Sequence, residues 1–224
     1  MSSMGITFDL FIFDFDGTLA NSERAYSKAF HHSVLTHTGR EISEEEFRGY
    51  WNATPQEVLS RYDRALIEEM MASFEEHYYA NHHNFLTPYD GILEMLEHLN
   101  EIEARCAVVS LKPRRAGEIE LDITGLRRFI DAAVWGDDVP RPKPEPDGVL
   151  RAVRELGADP RSTLVIGDSP ADIMMGRAAR ARTAAALWNG ADHERMIAQR
   201  PDFTLDSPAR LLEIVGRSSC GIAL

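Results

Sequence analysis

The strongest constraint on this chain lies at Phe11-Ile12-Phe13-Asp14-Phe15-Asp16-Gly17-Thr18-Leu19, an apolar run ending in two aspartates two residues apart and then Gly-Thr. The apolar residues before Asp14 predict a buried strand, and Gly17 predicts the turn that ends it. Such a strand delivers both carboxylates to the carboxyl edge of a sheet, where open α/β folds bind ligands. Two acids so close repel unless a cation or a shared proton holds them. The stretch therefore predicts a site rather than a solvated turn.

A calcium-binding loop also begins Asp-x-Asp. Its later positions would fall here on Thr18, Leu19 and Ala25, without the glycine and terminal glutamate such a loop needs, so that reading fails. More of a site follows downstream. Thr163-Leu164-Val165-Ile166-Gly167-Asp168 predicts a second buried strand ending in an acid. Ser169 can cap the helix that Pro170 starts, and Asp172 then takes the third helical position, as capping-box acid or as part of the site. Ala107-Val108-Val109-Ser110 predicts a third strand, ending in a hydroxyl. In Pro140-Arg141-Pro142-Lys143-Pro144-Glu145-Pro146, alternating prolines impose an extended backbone around one lysine. The chain has three lysines (Lys28, Lys112, Lys143) against 21 arginines. Where a generic positive charge suffices, this sequence writes arginine, which singles out Lys143 as a place for a compact ammonium.

The order of elements is legible too. From about Asn21 to Thr87 strand signals vanish and helical spacing takes over. Ser22 is placed to cap a run carrying Ala25, Phe30 and Val34. Ser43 with Glu46 and Thr54-Pro55-Gln56-Glu57 read as capping boxes, and Val58, Leu59, Tyr62 and Leu66 recur at helical spacing. Pro88-Tyr89-Asp90-Gly91 marks re-entry to the core, followed by the buried stripe Ile92, Leu93, Leu96, Leu99. Strands near Ala107–Ser110, Ala133–Trp135, Thr163–Ile166 and Thr183–Leu187 alternate with helices, which predicts a doubly wound parallel sheet. The domains are thus 1–20 with 88–224 as an α/β core, and 21–87 as an inserted helical domain. Arg217-Ser218-Ser219-Cys220-Gly221 reads as a disordered end.

At 224 residues there is room for one α/β domain and a small insert. A formal charge of −12 argues against nucleic acid and anionic membranes as partners. No leader pattern or membrane-length apolar run is evident, so a cytoplasmic location is expected. Cys106, ahead of a strand, and Cys220, in the tail, do not suggest a disulfide framework. The His31-His32 and His82-His83 pairs lack the spacing of helical metal ligands. Met70, Met71 and Phe74 are expected to pack the core of the insert, where Arg48, Tyr50, Trp51 and Asn52 stand out between two helices.

The four segments around Asp14, Ser110, Lys143 and Asp168, in this order, resemble the haloacid dehalogenase superfamily. The resemblance spans nearly the whole chain and is to the phosphatase branch with a small helical cap, the phosphoglycolate phosphatase-like enzymes. It implies a Rossmann-like core, the insert as a cap that closes over the site and faces it with the region around Arg48–Asn52, and Mg²⁺ as cofactor. Asp14 would attack phosphorus, forming an aspartyl-phosphate, and Asp16 would serve as general acid and then general base. The metal would be held by the carboxylates of Asp14 and Asp168 and the backbone carbonyl of Asp16, with Ser169 and Asp172 in support. Gly17, Thr18, Ser110, Leu111 and Lys143 would bind phosphate. The substrate class is a small phosphorylated metabolite, with phosphoglycolate the family default, and the assembly a monomer or homodimer. The overall negative field repels such a substrate, so local cations, the metal and Lys143, must attract it.

Leu111 departs from the pattern. Many relatives carry Asn there, so a side-chain contact to the substrate is lost. An acid at Asp16 separates the chain from the metal-free dehalogenases and from phosphonoacetaldehyde hydrolases. The sugar phosphomutases share Asp16 but carry a hinge histidine that Asn21-Ser22-Glu23-Arg24-Ala25-Tyr26 lacks, which favours a hydrolase. Receiver domains, the non-enzymatic alternative, have adjacent rather than alternating first acids and no helical insert. A phospho-ligand-binding protein without turnover is the remaining alternative, although every charged motif residue is in place.

Overall fold

A computed structural model of the chain describes residues 8–50, 53–190 and 193–219. Trp51, Asn52 and Cys220, singled out above, lie outside them. Among the described residues the strands are β1 Leu10–Phe13, β2 Ala20–Asn21, β3 Thr87–Pro88, β4 Arg105–Val109, β5 Ala132–Val134, β6 Thr163–Gly167, β7 Arg182–Ala186 and β8 Phe203–Leu205. Six of them form one sheet in the order β5-β4-β1-β6-β7-β8, and every pairing in it is parallel. With its flanking helices this is the doubly wound α/β architecture that alternating strands and helices predict.

β1 reads as an uninterrupted apolar run because all four of its residues are fully buried, as befits a central strand covered on both faces. Leu10 and Ile12 join a core cluster with Val149, Ala152 and Val153 of the helix Asp147–Glu155. Phe13 stands opposite Val108 of β4 on one side and Ile166 of β6 on the other. The tips of β1, β4 and β6 are therefore level. Sequence order reverses across β1, and that is the switch point at which such sheets open a crevice.

The chain divides into two compact units, one of residues up to Asn21 with Pro88 onward, the other Ser22–Thr87. The second unit packs its helices Glu23–Thr38, Glu44–Arg48, Pro55–Leu59 and Ile67–Asn81 around Phe30, Phe47, Leu59, Met70, Phe74 and Tyr78. Thr54 and Glu57 make the reciprocal capping box, and the Ser43 hydroxyl accepts from the Glu46 N–H at 3.1 Å. Ser22 takes the N-cap position without a capping hydrogen bond, because its backbone is helical (φ −99, ψ 0) rather than extended. Arg48 is an exposed surface residue, 3.7 Å from Glu44. Tyr50 is buried, its hydroxyl on the Glu46 carboxylate at 2.8 Å.

Several expectations need correction. The stretch 21–87 is not free of strands, since Ala20–Asn21 and Thr87–Pro88 form a two-stranded sheet of their own. β8 went unforeseen, its residues being too few to show alternation. Cys106 lies inside β4 rather than ahead of it, and burial pushes its thiol up to about 12, which disfavours the thiolate.

Candidate active site

Strand register brings the acids together. Asp14 follows β1 directly, and its N–H continues the ladder to Ile166 O at 2.9 Å. Asp168 follows β6, and Asp172 occupies the first turn of the helix Pro170–Ala178. Asp14, Asp168 and Asp172 each present an oxygen within 4.8 Å of the others, the one such cluster of potential metal ligands among the described residues.

Lys143 is set among them. Its Nζ lies 2.7 Å from Asp14 Oδ1 and 2.5 Å from Asp172 Oδ1, with the lysine side chain 3% exposed. The other oxygen of Asp172 accepts from the Ser169 N–H at 3.0 Å and from its hydroxyl at 2.6 Å. Asp172 is thus both capping acid and partner of the lysine, and its two oxygens are committed to those roles. Asp14 Oδ1 also accepts from the Phe15 N–H at 2.7 Å, which fixes the carboxylate.

The electrostatics expose a deficit of positive charge. Burial, with the neighbouring Asp172 and Asp168 carboxylates, pushes Asp14 up to about 8 even though Lys143 pulls the other way. Burial alone would lower Lys143, but the Asp14 and Asp172 carboxylates hold it above its usual range. One ammonium does not neutralise this cluster. An all-carboxylate donor set with surplus negative charge fits a hard divalent cation such as Mg²⁺.

The turn after β1 is built around Asp168. The Thr18 hydroxyl donates to Asp168 Oδ1 at 3.2 Å and the Asn189 amide to Oδ2 at 2.7 Å. Thr18 is fully buried, and its carbonyl accepts from Trp188 Nε1 at 3.0 Å. The Thr18 hydroxyl is committed to Asp168 and positions that carboxylate. Gly17 has φ +77, and a Cβ there would lie 2.3 Å from Asp168 Oδ2. Its lack of a side chain makes room for that carboxylate, a reason quite apart from phosphate.

This yields a test with an internal control. Gly157 also has positive φ, at +61, but nothing lies within 4 Å of its would-be Cβ. Gly157→Ala should show backbone strain alone, about 1 kcal/mol. Gly17→Ala adds a clash with a committed carboxylate, about 1–3 kcal/mol more. Thermal unfolding should place Gly17→Ala lower by roughly 2–4 °C for each additional kcal/mol. Equal midpoints would remove the close-approach argument.

Ser110 is buried beyond β4, with its Oγ accepting from the Lys112 N–H at 3.3 Å. Leu111 is half exposed beside it. Asp16 stands apart from the three-carboxylate cluster: its Oδ2 lies 3.2 Å from Lys112 Nζ, which also lies 2.8 Å from Glu120 Oε2. Lys112, Glu120, Trp188 and Asn189 were not singled out from sequence. The scarcity of lysine that pointed to Lys143 points equally to Lys112, which lies two residues after a predicted strand-tip hydroxyl.

A sequence model described as Haloacid dehalogenase-like hydrolase matches residues 11–186. The pyrophosphatase PpaX of Oceanobacillus iheyensis is 30% identical over 92% of this chain and 96% of its own length. The pyrophosphatase PpaX of Bacillus pumilus is 31% identical over 94% of this chain and 97% of its own. Among solved structures, a predicted phosphoglycolate phosphatase from Haemophilus somnus superposes with a TM-score of 0.82 at 24% identity, covering 92% of this chain and 97% of that one. That last likeness establishes the fold.

Proposed function

We propose that this chain, which belongs to the haloacid dehalogenase-like hydrolases, is a magnesium-dependent phosphatase that works through a phosphorylated Asp14. The observation that carries the reading is the pair of separately held acids. Asp14 is fixed by Lys143 beside Asp168 and Asp172, whereas Asp16, two residues on, is held by a different ammonium. Two carboxylates with different surroundings suit two different tasks.

In this reading the Asp14 carboxylate attacks phosphorus, and Lys143 offsets the repulsion between carboxylate and phosphate. Asp16 delivers a proton to the leaving oxygen, then accepts one from the water that hydrolyses the acyl phosphate. Ser110 and backbone N–H groups after β4 bind phosphate oxygens. Asp14 and Asp168, with the backbone carbonyl of Asp16, would hold Mg²⁺, which when bound supplies charge neutralisation of the phosphoryl group. Thr18 and Asn189 hold the Asp168 carboxylate for that purpose.

The substrate class is a small phosphate ester or anhydride. The name of the PpaX relatives puts pyrophosphate first among compounds to test, and exposed Leu111, in place of a polar residue, weighs against phosphoglycolate. A cytoplasmic location belongs to the same reading; no described helix is long and apolar enough to cross a membrane. Phosphate release should be measured over pyrophosphate, phosphoglycolate, sugar phosphates and nucleotides, with Mg²⁺ and after chelation. Activity should vanish on chelation and return with Mg²⁺. Calorimetric titration of Asp168→Ala with Mg²⁺ alone should show weakened binding, because it removes one of the two carboxylates that would hold the ion. Undiminished turnover after exhaustive chelation would point to a metal-free chemistry and sink the proposal.

A further inference from the structure

Resting on that phosphatase reading, we propose that Lys112 and Glu120 form a buried positioning pair that holds the Asp16 carboxylate where it meets the leaving oxygen. Lys112 Nζ bridges Asp16 Oδ2 at 3.2 Å and Glu120 Oε2 at 2.8 Å. The side chains are 1% exposed for Lys112, 0% for Glu120 and 25% for Asp16. The chain of contacts therefore runs from the protein interior outward and ends on the acid that must reach the leaving oxygen.

Each member is anchored. The Lys112 carbonyl accepts from the Gly136 N–H at 3.0 Å, and its N–H donates to Ser110 Oγ at 3.3 Å. The ammonium stands 5.9 Å from the centre of the Phe15 ring, which adds a weak cation–π attraction. Glu120 projects from the helix Arg114–Ile123 at a fully buried position that Ala116 and Leu121 would lead one to expect to be apolar.

Stability alone does not account for the pair. A buried lysine–glutamate pair is generally no more stabilising than apolar side chains of the same volume. The chain nevertheless buries two of its three lysines, and both touch one of the paired acids near the tip of β1. Asp16 sits in the turn beyond β1, close to the Asp14 carboxylate in sequence, and an unrestrained side chain there has several rotamers to choose from. Glu120 fixes the ammonium, and the ammonium fixes Asp16. Displacement of a reacting group by about 1 Å can cost about 10²-fold in rate.

The test separates this role from a merely structural one. Lys112→Met alone would strand the Glu120 charge, so the informative variant is Lys112→Met with Glu120→Leu, which removes both charges and keeps an apolar volume. A positioned acid matters for a poor leaving group and little for a good one. kcat/KM should be measured for p-nitrophenyl phosphate and for a primary alkyl phosphate of similar size, phenethyl phosphate, with Mg²⁺ present. The double variant should lose at least about tenfold more on the alkyl ester than on the aryl ester, a part of the 10²–10⁴ that general acid catalysis supplies. Glu120→Gln, which keeps the ammonium but loosens it, should shift the same ratio in the same direction by less. Equal losses on the two esters, or a ratio unchanged from wild type, would overturn the positioning role. A wild-type protein that releases phosphate from neither ester, nor from pyrophosphate or the other compounds named above, would instead overturn the phosphatase reading itself.

Discussion

Asp14→Asn is expected to abolish turnover, by on the order of 10⁴-fold or more, the scale on which removal of a nucleophile is felt. The amide is nearly isosteric, so Phe15 N–H and Lys143 Nζ still find an oxygen where Oδ1 now stands. What disappears is the charge that attacks phosphorus. The variant should not be less stable than wild type in the absence of metal. Burial first, and then the neighbouring carboxylates, raise the proton affinity of Asp14 against the pull of Lys143, so removing its charge relieves chiefly the cost of burying it. Steady-state phosphate release and thermal unfolding in chelator would check both parts. Turnover near wild type would remove Asp14 as nucleophile, and a midpoint several degrees lower would show that its charge supports the fold.

Lys143→Arg should be the most damaging conservative change in the chain, with a loss of about 10²-fold or more in turnover. From sequence alone the expectation is that an ammonium fits where a guanidinium does not, and that thermal stability changes little. Nζ is enclosed by Asp14 Oδ1 at 2.7 Å and Asp172 Oδ1 at 2.5 Å, with no solvent at its tip to absorb a larger group. A planar guanidinium must push one of those carboxylates aside, so about 1–3 kcal/mol of overpacking is now expected as well. Arg141→Lys in the same segment is the control. Arg141 is exposed and reaches Asp147 at 2.7 Å, a solvent-screened surface pair of little energetic weight. Comparable activity in the two swaps would make Lys143 a replaceable charge.

The parts of the site that were legible in sequence are those written as breaks in a pattern. Apolar runs that stop at Asp14, Ser110 and Asp168 announce strand tips, and tips of neighbouring parallel strands share an edge. Lys143 stood out because prolines surround it and lysine is scarce. What stayed hidden depends on partners that spacing does not encode. Lys112 follows a strand tip in an ordinary polar loop, and Glu120 lies eight residues on in a helix, where glutamate is common. Only its place on the buried face with Ala116 marks it as unusual. Asn189-Gly190 looks like a turn and nothing else, yet its amide holds Asp168. That the Thr18 hydroxyl meets Asp168 is likewise invisible in spacing, because the two follow neighbouring strands far apart in sequence.

The order of strands in the sheet also sets when in folding this chemistry can exist. Thr18 meets Asp168 across 150 residues of chain, Trp188 meets Thr18 across 170, and Lys143 meets Asp172 across 29. Each of these closes a loop whose entropy must be lost before any contact compensates for it. No local segment, however well it folds, carries a working fragment of the site. Local helices can form and still leave Asp14, Lys143 and Asp168 apart from one another and hydrated. The crowded charges meet only where β1 stands between β4 and β6, so the electrostatic cost of the site arises together with the central pairing of the sheet.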